Sequence, residues 1–400
     1  MIVVLIFLAT YAVIAVGGVP GLRIDRTGAA IVGAVLMVVS GSISFDEAVK
    51  AVDFHTLVLL FGMMILVAYL RLAGAFAALA SFVSRRATRP PALLVAIVAT
   101  AGALSALFVN DAICLVFTPV VLEIATARGR RPLPYLLAVA TASNIGSAAT
   151  ITGNPQNMLI GSMSHISFRA FAAALAPVAI AGLVIDALIL WLLFRRELQS
   201  HAGDAAPFRV IRTQKAMLTK SLVVAAGVVA GFLAGFDTAM VAAAGAAALL
   251  VTRRVSPRKI YAAIDWDLLV LFVGLFVVVG AIEKAGIDTR IFAALEPLGM
   301  HSVAGLSAMA AVLANLVSNV PAVMLFTRVI PEMPDPRKLW LALAMASTLA
   351  GNLTILGSIA NLIVVEGARR RGVVITFREY ARVGIPVTIA TIAVGVWWLS

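Results

Sequence analysis

The chain is 400 residues long, 62% hydrophobic and only 12% charged, with a mean hydropathy of +1.06. Soluble domains carry about 25% charged and about 45–50% apolar residues, so a water-soluble fold is excluded and apolar runs of bilayer length are expected. The net charge of +12 does not point to nucleic acid, because Lys and Arg lie in short loops without a basic, aromatic-interleaved patch; the single cysteine, Cys114, excludes an intrachain disulfide and a thiolate metal cluster.

The apolar runs predict an all-α polytopic membrane protein with about ten transmembrane helices and two re-entrant hairpins. The first run, 1–17, has no basic n-region or clear cleavage site and is read as a retained span. Spans at 28–41 and 55–71 follow, then a short interfacial helix at 73–87. Two half-length segments, 91–108 and 112–126, meet at the polar tip Val109-Asn110-Asp111 and predict a hairpin over 91–126. An interrupted helix at 133–165 and a span at 171–194 complete a first unit, 1–197. A polar linker, 198–216, leads to a second unit, 217–400, with spans at 217–235, 239–252 and 265–283 and an interfacial helix at 286–298. Segments 302–316 and 321–331 form a second hairpin, 302–331, around Ser318-Asn319-Val320-Pro321; an interrupted helix at 337–366 and a span at 382–399 end the chain.

The two units match each other. A shift of 212 residues pairs Asp25 with Asp237, Gly33 with Gly245, Ser44 with Ser256, Asp53 with Asp265 and Gly62 with Gly274. A shift of 209 pairs Asn110 with Asn319. A shift of 204 lays 140–157 on 344–361 with seven of eighteen positions identical, including Ser143, Thr150, Gly153 and Asn157. Low-complexity Ala, Leu and Val explain apolar matches, but not Ser, Thr, Gly and Asn recurring in order. Five spans per copy is an odd number, so tandem copies sit inverted. On this topology 24 of the 31 basic residues fall on one side, which the positive-inside rule makes cytoplasmic, linker included. Both termini are then external, and a bacterial inner membrane is the expected location.

Four polar clusters fall at membrane depth: the two tips and two helix breaks, 146–157 and 351–358. Gly and Pro free backbone groups there, which is tolerated only inside protein or beside water. Freed helix N-termini suit anions, and freed carbonyls with Ser, Thr and Asn oxygens suit Na⁺. The candidate binding residues are Asn110, Asp111, Asn144, Thr150, Thr152, Gly153, Asn154, Gln156 and Asn157, with Ser318, Asn319, Asn352, Thr354, Gly357, Ser358 and Asn361. Na⁺ is a candidate at Asn110, Asp111 and Asn319. Helix packing explains any one such residue, but not four clusters at matched positions. Asp111 pairs with Val320, so symmetry does not require it; it is a candidate H⁺ or Na⁺ carboxylate, or a hydrogen-bond partner of 144–157. Asp186 is read as structural or lumen-facing, Cys114 as packing, and His55 and His165 as interfacial.

The segments FVNDAICLVFTP, SNIGSAATITGNPQNMLIG, SNVPAVML and GNLTILGSIANLIVVEGARRRG resemble the ion transporter superfamily, nearest its arsenite permease, NhaD-type antiporter and citrate-transporter-like branch. The resemblance covers essentially the whole chain. In related divalent anion/sodium symporters the tips carry Ser-Asn-Thr, which binds substrate and Na⁺; only Asn110 and Asn319 match at both tips here. The Asn-Asp tip resembles arsenite permeases, and the GNPQN break resembles NhaD-type and anion permeases. The resemblance implies alternating access.

The expected activity is secondary transport of a small anion or arsenite-like oxyacid, coupled to H⁺ or Na⁺. Alternatives are a Na⁺/H⁺ antiporter using Asp111 and, from another class, an ion channel. An enzyme is not expected: no GxSG-like or HExxH motif occurs, and no phosphate loop marks a primary pump. No cofactor is expected beyond a coupling ion. Partners are the lipid bilayer and the small substrate; a homodimer and a partner ATPase subunit stay open. Few Lys or Arg at spanning depth favour neutral or monovalent substrates.

Overall fold

The computed structural model describes residues 2–18, 21–87, 89–199, 214–251, 255–287 and 299–400. Their regular secondary structure is all helical, without strands among the described residues. The interfacial helix expected at 286–298 and most of the linker at 198–216 lie outside the described residues.

The first half contains α1 (Ile2–Val16), α2 (Arg26–Val39), α3 (Phe45–Ala51), α4 (Phe54–Ala73), α5 (Ala75–Arg86), α6 (Pro90–Leu107), α7 (Asn110–Ala127), α8 (Leu133–Ser147), α9 (Pro155–Ser164) and α10 (Phe168–Gln199). The second contains α11 (Lys215–Leu233), α12 (Thr238–Leu250), α13 (Pro257–Tyr261), α14 (Trp266–Lys284), α15 (Val303–Val317), α16 (Asn319–Phe326), α17 (Pro336–Leu349), α18 (Ile359–Arg369) and α19 (Phe377–Leu399). Seven of them, α4, α6, α7, α10, α11, α14 and α19, are long and apolar enough to cross a membrane. Both α6 and α7 are 18 residues long, longer than the half-length segments expected there, whereas α15 and α16 have 15 and 8 residues.

The recurrent aspartates are helix caps. Asp25 and Asp237 accept the Gly28 and Met240 amides at the starts of α2 and α12, both at 2.8 Å. Asp53 and Asp265 likewise cap α4 and α14, accepting the His55 and Leu268 amides. Each cap satisfies an amide that the helix leaves without a carbonyl. Two short helices, α3 and α13, were not expected. A capping box between Ser44 and Glu47 starts α3, and Ser256-Pro257 starts α13.

Two close crossings join the halves. A Cβ on Gly62 of α4 would stand 2.8 Å from the Ala242 backbone of α12, and one on Gly274 of α14 would stand 2.7 Å from Ala30 of α2. Small residues at such crossings let helices touch along their backbones, as packing in lipid requires. On the periphery Ile180, Val184, Leu188, Leu222, Val223 and Trp397 are exposed, an apolar belt that water would not tolerate.

Candidate functional site

Both interrupted helices break with the same local geometry. After α8 the chain extends at Thr150, turns through a 3₁₀ element at Ile151–Gly153, extends again at Asn154 and enters α9. After α17 it extends at Thr354, turns at Ile355–Gly357, extends at Ser358 and enters α18. One amide ties each loop. Asn157 Nδ2 donates to the carbonyls of Ser147 (3.1 Å) and Thr150 (3.0 Å); Asn361 Nδ2 donates to those of Gly351 (2.7 Å) and Thr354 (3.0 Å). Gly153 and Gly357 have no room for a side chain: a Cβ would meet Ser147 O in the first break and Asn315 Oδ1 in the second.

The breaks also bond to each other. Asn144 Nδ2 donates to Asn352 Oδ1 (2.9 Å) and Asn361 Oδ1 (3.0 Å), and its Oδ1 accepts from Asn110 Nδ2 (2.9 Å) and Ser358 Oγ (3.0 Å). Asn352 Nδ2 reaches back to Thr141 O at 3.2 Å. In the opposite direction Thr348 Oγ1 donates to Asn157 Oδ1 (3.3 Å) and accepts from Asn154 Nδ2 (3.1 Å) and Gln156 Nε2 (3.3 Å). With its amide oriented to suit its neighbours, Asn319 donates to Ser347 O and Gly357 O and accepts from Gln156 Nε2. This uncharged cluster is almost wholly buried.

Four helices begin at it: α7 at Asn110, α9 after Asn154, α16 at Asn319 and α18 after Ser358. Their N-termini direct N–H dipoles toward the same region, which favours electron-rich ligands. One group is left over: Asn110 Oδ1 is buried and has no hydrogen-bond partner. A buried free acceptor is costly unless a ligand or water donates to it. Ser318, at the second tip, is partly buried and has φ +75° and ψ 159°, a conformation nearly confined to glycine.

Not every expected residue joins the cluster. The Thr150 and Thr152 hydroxyls donate to Ala106 O and Leu107 O, satisfying carbonyls at the end of α6. Thr354 Oγ1 bonds Asn315 Oδ1 at 3.3 Å. Asp111 lines a separate cavity of about 150 Å³ with Arg71 and Asp265; none of the cluster asparagines lines it. A larger cavity of about 540 Å³ lies at the opposite end of α4. It is lined by Asp53, His55, Ile151, His165 and Asp237, with His55 Nε2 2.7 Å from Asp237 Oδ2. Burial tends to raise the Asp237 carboxyl, but the Met240 N–H and His55 outweigh it and hold it below the usual range. Among the described residues no group of three or more His, Cys, Asp or Glu could hold a metal ion.

Thr348 and Asn315 were not among the expected residues. Thr348 is the mate of Asn144 at the 204-residue shift, and Asn315 is a polar residue four positions before Asn319 in an otherwise apolar segment. Both signals were present in the sequence.

Described residues whose regular secondary structure is all helical, with an apolar belt and two interlocked helix breaks, have the architecture of a membrane transporter. The citrate transporter family model (CitMHS) matches residues 10–337, and the chain belongs to that family, whose members are transporters rather than enzymes. The silicon efflux transporter LSI3 of Oryza sativa subsp. japonica is 32% identical over 94% of this chain and 93% of its own. A 46 kDa membrane protein of Mycobacterium leprae is 30% identical over 100% of this chain and 98% of its own. In fold the chain is similar to the YdaH transporter of Alcanivorax borkumensis, with a TM-score of 0.60 and 17% identity over 99% of this chain and 96% of that one.

Proposed function

We propose that the protein is a secondary transporter for a small oxyacid or monovalent anion, coupled to H⁺ or Na⁺, with the asparagine cluster as its substrate site. The observation that carries this is the convergence of four helix N-termini on buried, uncharged amides and hydroxyls, with Asn110 Oδ1 left without a donor. A hydroxyl-bearing oxyacid supplies both partners: O–H groups for the free acceptor and oxygens for the amide donors. The cluster contains no Lys or Arg to neutralise a multivalent anion. The silicon efflux activity in the name of the rice relative is consistent with a neutral oxyacid of silicon, and arsenite belongs to the same chemical class.

The access mechanism follows from two inverted copies, 1–197 and 217–400, with α6–α7 and α15–α16 as re-entrant hairpins entering from opposite sides. The matched breaks and reciprocal glycine crossings support that reading. Both termini and the His55 cavity are then external, the linker and the Asp111 cavity cytoplasmic, and alternation opens the cluster to one cavity at a time. The test is thermal unfolding of the purified protein with silicic acid, arsenite, sulfate, phosphate or citrate, with Na⁺ or choline. A ligand that binds the native state raises the midpoint. Flux of the stabilising compound into proteoliposomes should follow. No stabilisation and no flux with any of them would end the proposal.

A second reading, Na⁺/H⁺ exchange, rests on Asp111 facing Arg71 and Asp265 across a cavity. It predicts Na⁺-driven proton movement in vesicles that Asp111→Asn abolishes.

A further inference from the structure

Asp186 lies in the middle of α10, and Ile180, Val184 and Leu188 on that helix are exposed on the apolar perimeter. Its own side chain is fully buried, and neither carboxylate oxygen has a hydrogen-bond partner. Two neighbouring groups on α19 are in the same condition: the hydroxyls of Tyr380 and Thr388 are buried and without partners. The two helices touch here, since a Cβ on Gly182, one turn before Asp186, would stand 3.3 Å from Thr391 Cγ2. An ionised carboxylate cannot be held in such surroundings without a compensating cation or proton.

The surroundings distinguish between those two. The Thr141 hydroxyl on α8 lies beside the carboxyl, and it donates its proton to Leu137 O at 2.8 Å. While that bond is made, Thr141 has only lone pairs to present to Asp186, which a carboxylic acid can use and a carboxylate cannot. No charged side chain counters this. α6 has no charged residue; the charges of α11 lie in its first two turns and those of α17 in its first, where Lys220 bonds Val251 O and Lys338 bonds Ser400 O. From α19 the titratable neighbour is Tyr380, which also lies within electrostatic reach of Cys114 on α7.

The position is also connected to the cluster. Tyr380 lies beside Asn361, whose amide ties the second break and accepts from Asn144. One turn along α19, Gly384 packs so closely on Asn352 O that a Cβ would overlap it. We propose that Asp186 is the proton-carrying carboxyl of this transporter, with Tyr380 as the positioning residue that links its protonation to the second break. This rests on the transport reading above and assigns its coupling ion. Loss of the proton leaves a buried anion that Tyr380 and Thr388 must turn to meet, which alters the packing of α19 on Asn352.

Infrared difference spectroscopy of the purified protein tests the assignment without a substrate. At neutral pH the wild type should show the carbonyl stretch of a protonated, buried carboxylic acid that shifts in D₂O. That band should persist in Asp111→Asn, disappear in Asp186→Asn and change frequency in Tyr380→Phe or Thr141→Val. The last two variants retain the acid and keep the test decisive if Asp186→Asn fails to fold. No band assignable to Asp186, or a band removed when sodium replaces choline, would overturn the proposal. In proteoliposomes given a pH gradient, the wild type should accumulate silicic acid or arsenite, while Asp186→Asn should only equilibrate it. Gradient-driven accumulation by Asp186→Asn would overturn the coupling role. Absence of any wild-type flux would instead defeat the transport reading and leave the infrared result standing.

Discussion

Asn144 and Thr348 occupy reciprocal positions. Asn144 donates to Asn361 and accepts from Ser358 in the second break; Thr348 donates to Asn157 and accepts from Asn154 in the first. All three pairs of residues, 144 and 348, 157 and 361, 154 and 358, stand 204 positions apart. Each broken helix is therefore completed by the other.

Asn144 is the more connected of the two, with four side-chain bonds. Replacing it with Ala strands several buried partners, each costing about 1–3 kcal/mol. Asn144→Ala should lower the unfolding midpoint sharply and abolish ligand stabilisation. Asn144→Thr should be milder, because Thr at the equivalent position already bonds across. Thermal unfolding of both variants in detergent checks the order.

The paired crossings should respond equally to a methyl group. Gly62→Ala and Gly274→Ala each press on a neighbouring helix backbone, and overpacking of this kind costs about 1–3 kcal/mol. Ala242→Gly should partly rescue the first and Ala30→Gly the second, but neither should rescue the other. Midpoints of the four single variants and the two matched and two crossed double variants give the comparison.

Ser318→Gly should stabilise the protein. A non-glycine residue in that backbone region costs about 1–3 kcal/mol, more than the roughly 0.5–1 kcal/mol that glycine loses in the unfolded chain. Calorimetry should show a higher midpoint for Ser318→Gly and a lower one for Ser318→Val.

At the surface, Glu47 gives an acid-side signature. Its carboxyl is held at about 2 by Lys284 Nζ, 2.6 Å away, and by the Ser44 amide and hydroxyl. The folded value lies below the usual 4.5, so the stabilisation is complete above 4.5 and is lost as pH falls toward 2. The midpoint difference between the wild type and Glu47→Gln should be present at neutral pH, close on acidification and shrink in high salt.

Much of the architecture was legible because polar residues are rare in this sequence, so each recurrence stands out. The Asp25/Asp237 and Asp53/Asp265 pairs turned out to cap equivalent helices, and Thr150-Ile151 and Thr354-Ile355 mark equivalent turns. Direction was harder to read. Asn110 and Asp111 are adjacent in sequence, but neighbouring residues on a helix point about 100° apart. One reaches the cluster and the other lines the Arg71 cavity. Asp186 was hard to read for a similar reason: the sequence marks it as an acid inside an apolar span, but not that its carboxylate is buried there without a hydrogen-bond partner.

The Gly62–Ala242 and Gly274–Ala30 contacts have the arithmetic of a self-complementary surface. Position 62 meets the counterpart of 30, and the counterpart of 62 meets 30, as at the interface of a twofold homodimer. On the duplicated-halves reading, a single ancestral half could have made both crossings by pairing with a second molecule of itself. Fusion would then have freed the two sides to diverge, one keeping Val320 where the other carries Asp111.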